Sequence, residues 1–189
     1  MKIALCGTDL VSTLGRLDRP VEVRSLHLMI AGEYLRMADA YLHDGQVFLK
    51  KGDPVNALAS FAYAFGWVDC GEWVGLFESG TKPREWGVEQ EIPASLGARL
   101  TEKTTRYARL LRRALASVSP AAEPGTVPRD GGERVILSAS VSADIGDFLL
   151  LSGYVEEALF CYSYGHAWLD ASVRAGLLSV GGERELFTI

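Results

Sequence analysis

One stretch of this chain occurs twice, 101 positions apart. Laying residues 52–77 over residues 153–178 without a gap pairs Gly52 with Gly153, Ala57 with Ala158, Leu58 with Leu159, Tyr63 with Tyr164, Trp67 with Trp168, Asp69 with Asp170, Gly75 with Gly176 and Leu76 with Leu177. Two of the chain's four tryptophans thus fall in register. The match continues upstream through Ala38/Ala139 and Gly45/Gly146. A repeat restricts the architecture, because each copy is one supersecondary unit that buries its apolar face against a neighbour.

Each copy reads as two helices around a tight turn. In the first, Asp18 and Pro20 look like an N-cap and an early helical position, and an apolar pattern runs from Val21 to Leu49. Gly52 ends that helix, Asp53 caps the next and Pro54 opens it, and the second helix runs to about Phe77. In the second copy the helices span Val135 to Ser152 and Val155 to Leu178, with Gly153 at the turn. If the helices of a pair lie antiparallel, facing residues have numbers summing to about 105 in copy one and 307 in copy two. That sets Trp67 against Ala38 and Trp168 against Ala139, so each indole meets a small residue and reads as packing. Gly45 falls near Ser60 and Gly146 near Cys161, permitting close approach. The same rule places Asp69 opposite Arg36 but Asp170 opposite Leu137.

Glu78 to Pro93 is polar and reads as a connector. A third kind of helix follows from Ala94 to Val118, with Leu100, Tyr107, Leu111 and Ala114 at helical spacing and Arg99, Lys103, Arg106, Arg109 and Arg113 opposite. Ser119 to Glu133, with Pro120, Pro124, Pro128 and the Gly131-Gly132 pair, reads as a flexible loop. The expected architecture is therefore an all-α, up-and-down helical bundle built from two related helical-hairpin units. Residues 1–78 form a first, incomplete unit, 79–93 a connector, and 94–189 a complete three-helix unit with its loop at 119–133.

The run Met37-Ala38-x2-Tyr41-x2-Asp44-Gly45-x2-Phe48-x3-Gly52-Asp53, followed by Ala57-Leu58-x2-Phe61-Ala62-Tyr63-Ala64-x-Gly66-Trp67-x-Asp69-x-Gly71, resembles the archaeal family of domain of unknown function 357. The second copy resembles it through Ala158-Leu159, Tyr162-Ser163-Tyr164-Gly165, Trp168-Leu169-Asp170-Ala171 and Gly176-Leu177. The basic helix and the closing Glu183-Arg184-Glu185-Leu186-Phe187-Thr188 are similar to that family's first helix and C-terminal end. The resemblance implies tandem copies, the first lacking an obvious basic first helix, a small up-and-down helical bundle and an archaeal source. It implies no activity.

An apolar content of 48% is enough for a sizeable core, and no run reaches the length of a membrane span. The apolar stretch of Met1-Lys2-Ile3-Ala4-Leu5-Cys6 is too short for a lipoprotein signal. Cys6, Cys70 and Cys161 are widely spaced and odd in number, which fits reduced thiols and a cytoplasmic chain. The three histidines, His27, His43 and His166, are scattered, so no metal site is expected, and no phosphate-cradling glycine loop or other cofactor motif occurs. A net charge of −5 excludes a wholly basic, nucleic-acid-coating surface.

Four groups remain as candidates. Asp69 and Asp170 are carboxylates on apolar helices, and burial there demands partners. Arg36-x6-His43 resembles the Arg-x4-6-His motif of the HEPN ribonucleases, although Leu137 and Asp144 stand at the equivalent positions of copy two. His166 and Asp170, at i and i+4, have the spacing of a local hydrogen bond. The cationic face of Arg99, Lys103, Arg106, Arg109 and Arg113 could meet phosphates or an acidic protein. The leading reading is a non-enzymatic helical scaffold or macromolecular interaction protein with an unknown protein partner. The alternative is an RNA-binding or ribonucleoprotein-associated module using the basic helix, and behind it an RNA-cleaving enzyme using Arg36 and His43.

Overall fold

The computed structural model describes residues 3–18, 22, 24–78 and 91–188. Six α-helices carry the fold: α1 (Ile3–Leu14), α2 (Leu26–Lys50), α3 (Pro54–Trp73), α4 (Gly97–Ser117), α5 (Val127–Leu151) and α6 (Val155–Arg174). The chain is an all-α bundle of two related hairpins, α2–α3 and α5–α6, each with a further helix laid against it. Among the described residues the only sheet is a pair of short antiparallel strands, β1 (Val118–Pro120) and β2 (Leu178–Val180).

The hairpin turns follow from the sequence. Gly52 and Gly153 take φ of 72° and 86°, the left-handed conformation that ends a helix most cheaply at glycine. Asp53 then caps α3, its carboxylate accepting from the Asn56 amide at 3.1 Å, with Pro54 in the first turn.

Several boundaries differ from the sequence reading, among them the end of α6, which stops at Arg174 and leaves Leu178 to open β2. Asp18 caps no helix, since its backbone N–H and C=O pair with Glu78 at 3.0 Å each, and α2 is capped by Ser25, whose hydroxyl accepts from the Leu28 amide at 3.0 Å. Pro20 and Val21 lie outside the described residues, as do residues 79–90 of the expected connector. At the other end α3 stops at Trp73, and Phe77 lies beyond Gly75 with its ring seated on Gly71, where a Cβ would collide with it. Another difference is the segment 119–133, only the middle of which is loop. It opens in β1, and α5 begins at Val127 under a Thr126 cap. Gly132 lies within α5, where a Cβ would sit 2.9 Å from the Leu177 carbonyl oxygen, so this glycine serves close packing rather than flexibility.

The first unit has its own third helix. At the same 101-residue offset α1 corresponds to the second half of α4: Leu10 matches Leu111 and Leu14 matches Leu115, and buried Ile3, Leu10 and Thr13 correspond to buried Thr104, Leu111 and Ala114. The Asp18–Glu78 bridge corresponds to the Ser119–Ser179 pair of β1 and β2. As described, α1 spans 12 residues against the 21 of α4 and carries no basic side chain.

At the centre α3 and α6 cross, buried on most sides. A Cβ added to Gly66 would lie 2.6 Å from that of Ala167 and 2.7 Å from the Tyr164 carbonyl oxygen. Gly66 and Ala167 are equivalent positions, so the crossing lies on a pseudo-twofold axis relating the two units. Trp67 is fully buried, edge-on to Tyr34 at 5.0 Å, and Trp168, Ala38 and Ala139 are buried with it. Within each hairpin the facing rule is off by one residue. Gly45 receives the ring of Phe61 rather than Ser60, and Gly146 that of Tyr162 rather than Cys161.

Candidate functional site

The repeated aspartates find their partners in the opposite unit. The Tyr63 hydroxyl donates to Asp170, and the Tyr164 hydroxyl donates to Asp69 at 3.0 Å. Because Tyr63 and Tyr164 are equivalent, as are Asp69 and Asp170, the two bonds are one interaction made twice across the pseudo-twofold axis. Asp170 also accepts from the Thr188 amide at 3.0 Å and its hydroxyl at 2.6 Å, which ties down the C-terminal segment behind the buried Phe187. Arg36 therefore does not pair with Asp69. Its guanidinium reaches Glu33 at 2.7 Å on the exposed side of α2. Burial, and then the adjacent aspartate charge, raises both Tyr63 and Tyr164 well above the usual phenol range, so both remain hydrogen-bond donors at neutral pH.

Beside Tyr63 a cavity of about 160 Å³ is lined by Tyr41, Ser60, Tyr107 and His166 among others. Of its polar groups, Tyr63 and His166 are already engaged. His166 Nε2 lies 2.9 Å from the Leu186 carbonyl oxygen, while Asp170 is held by Tyr63 and Thr188, so the i, i+4 histidine and aspartate form no pair. Burial pushes the thiols of Cys6 and Cys161 up to about 11 and that of Cys70 up to about 12, which leaves them un-ionised and weakly nucleophilic at neutral pH. No group of three or more metal-ligating side chains occurs among the described residues.

The basic helix differs from its expected form. Lys103 is buried, not on the solvent face; its ammonium donates to the Asn56 amide oxygen and sits 4.7 Å above the Tyr107 ring. Burial, reinforced by the Arg106 charge, lowers its pKa to about 8. Arg99 pairs with Asp53 at 2.5 Å, Arg106 with Glu102 at 3.3 Å and Arg113 with Glu183 at 2.8 Å. Arg112 bridges Asp144 and Asp147 at 2.9 and 2.5 Å. Each such exposed pair contributes little to stability, but together they set carboxylates among the cations and weaken the positive field an RNA backbone would meet. Arg109 is exposed. Arg36 and His43 both lie on the exposed side of α2.

The feature that sequence reasoning missed is the outer face of α5. Leu137 (62% exposed), Val141, Ile145, Phe148 (69%) and Leu151 (90%) form one apolar row along it. Side chains three and four positions apart line the same side of a helix, so the row is continuous. The equivalent positions on α2 are Arg36, Ala40, Asp44, Val47 and Lys50. The 3.5-residue period of this row is present in the sequence, but apolar spacing alone does not say which side of a hairpin helix faces the core. A second apolar feature, a groove of about 380 Å³, straddles the pseudo-twofold axis and is lined by the equivalent pairs His27/Pro128, Ile30/Gly131 and Leu76/Leu177, with Trp73 at its edge. Among the described residues no helix is long and apolar enough to cross a membrane.

The model of the family described as Protein of unknown function (DUF357) matches this chain twice, over residues 14–77 and 106–178, one match to each unit. No curated protein and no solved structure matches the chain.

Proposed function

The chain belongs to the DUF357 family, and from that premise we propose that it is a non-enzymatic helical interaction protein presenting the outer face of α5 to another macromolecule. The observation that carries the reading is the exposed row Leu137, Val141, Ile145, Phe148 and Leu151. A contiguous apolar strip of this kind on an otherwise polar surface marks a binding face. The equivalent face of α2 carries Arg36, Asp44 and Lys50 instead, so the row is not a requirement of the fold. The engaged tyrosines, the un-ionised thiols and the surface position of Arg36 and His43 favour binding over catalysis. Three free cysteines accord with a cytoplasmic location.

The test is affinity capture from a cell extract with the tagged full chain and with a Leu137→Ser/Phe148→Ser variant, untagged copies of the chain itself being counted among the captured proteins. The wild type is expected to retain at least one protein that the equally folded variant loses. Identical captured sets would remove the proposal. RNA retained by both, and lost when Arg106, Arg109 and Arg113 are neutralised, would instead move the function to α4.

A further inference from the structure

We infer that the occupant of the α5 face is a second copy of this chain, packed antiparallel with α5 against α5; this rests on reading that face as an interaction surface. Starting from Val127, the residues Asp130, Arg134, Leu137, Val141, Asp144, Phe148 and Leu151 follow at alternating steps of three and four, the spacing of a coiled-coil seam. All eight are exposed. This seam is the apolar row extended to the N-terminal end of the helix, with Ile145 alongside it.

The charges on the seam select the orientation. In an antiparallel pair whose facing positions sum to 278, Leu137 meets Val141, Val127 meets Leu151 and Arg134 meets Asp144, each twice by symmetry. A parallel pair would set Arg134 against Arg134 and Asp144 against Asp144, in a layer where like charges cost most. Arg134 makes no ion pair among the described residues, and the Asp144 side chain is 70% exposed with Arg112 on Oδ1 alone, so each has capacity for the other. The one unmatched layer sets Asp130 against Phe148; Asp130 lies in the first turn of α5, where an acid is favoured by the helix dipole and reaches solvent.

The seam also sets the strength. From Val127 to Leu151 it is about 36 Å long at 1.5 Å per residue, and a strip about 12 Å wide presents roughly 400 Å² a side. That is about half the area of a standard interface, so the dimer is a weak, concentration-dependent one.

Sedimentation equilibrium of the full chain from about 1 to 500 μM tests this, with helicity of every variant checked by circular dichroism. The wild type is expected to pass from monomer to dimer across the range, and Leu137→Ser to weaken association at least tenfold. Arg134→Glu and Asp144→Lys should each weaken it about fivefold or more. The two single variants mixed together should form a heterodimer tighter than either homodimer, because each layer then regains opposite charges; an unfolded variant could not produce that result. A monomer at every concentration, a dimer indifferent to Leu137→Ser, or a mixture no tighter than its components would overturn the inference. If the chain stays monomeric while capture still depends on Leu137 and Phe148, the α5 face binds a different protein. Self-association then fails and the proposed function stands.

Discussion

The two units agree where they touch each other and disagree where they face outward. At the axis Tyr63 and Tyr164, Asp69 and Asp170, and Gly66 and Ala167 make matching contacts. On the outside the same helix position carries a polar face in α2 and an apolar one in α5. Contacts that each unit must make with its twin constrain both copies at once, whereas an outer face answers only to what binds it. The repeat thus separates residues kept for folding from residues free to acquire a partner.

The inner half of this comparison is broken most severely at the crossing. Gly66→Val places a side chain against the Tyr164 backbone carbonyl, which cannot rotate away, and should cost more than about 4 kcal/mol, read as a shift or loss of the urea midpoint. An unchanged midpoint would mean that the helices do not approach closely there. Next come the aspartates. Asp170→Ala removes the acceptor of three hydrogen bonds and should cost about 2–3 kcal/mol. A smaller loss when Thr188 is already replaced by Ala would show that the hydroxyl bond to Asp170 contributes to it, and a midpoint unmoved by Asp170→Ala would place the carboxylate in water.

Lys103 gives a smaller effect with a defined pH window. Its folded pKa of about 8 lies below the ordinary 10.5, so between those values the unfolded chain binds more protons at this group and the lysine's own contribution to stability rises with pH. Below pH 8 both states carry the charge, and the full penalty of burying it is present. Thermal melts from pH 7 to 10 should show the wild type gaining on Lys103→Met as pH rises, while the raised thiols of Cys6, Cys70 and Cys161 lower both curves alike above about pH 9; a constant difference would place the ammonium in water. The smallest effect belongs to the outer faces. Phe148→Ser and Val47→Ser, at equivalent positions on α5 and α2, should each change the stability of the dilute chain by about 0.5 kcal/mol or less, with only the former altering association.

The hairpins were legible because their signals are local: Gly52 and Gly153 for the turns, Asp53 and Pro54 for the restart of α3. The partners of Asp69 and Asp170 were not, since a facing rule within one hairpin cannot reach a tyrosine on the other unit. Lys103 was given to solvent by its charge, although burial follows from its place one turn before Tyr107 and beside Asn56. The helix α1 was missed because its match to α4 rests on Leu10 and Leu14, two leucines among residues that have otherwise lost the basic pattern. Pro128 and Gly132 read as loop residues, yet one sits in the first turn of α5 and the other is held small by the Leu177 carbonyl.

The exchanged tyrosines bear on how such a chain assembles. A single unit carrying the Tyr-x3-Trp-x-Asp run cannot satisfy its own tyrosine and aspartate in this geometry; it can do so only against another unit. For a one-unit chain that would be a homodimer, whose stability falls with dilution. Joining two units in one polypeptide replaces that dependence with a fixed effective concentration set by the linking segment. The fused pair stays assembled at any dilution, and once the halves are no longer obliged to be identical, one outer face can change without the other.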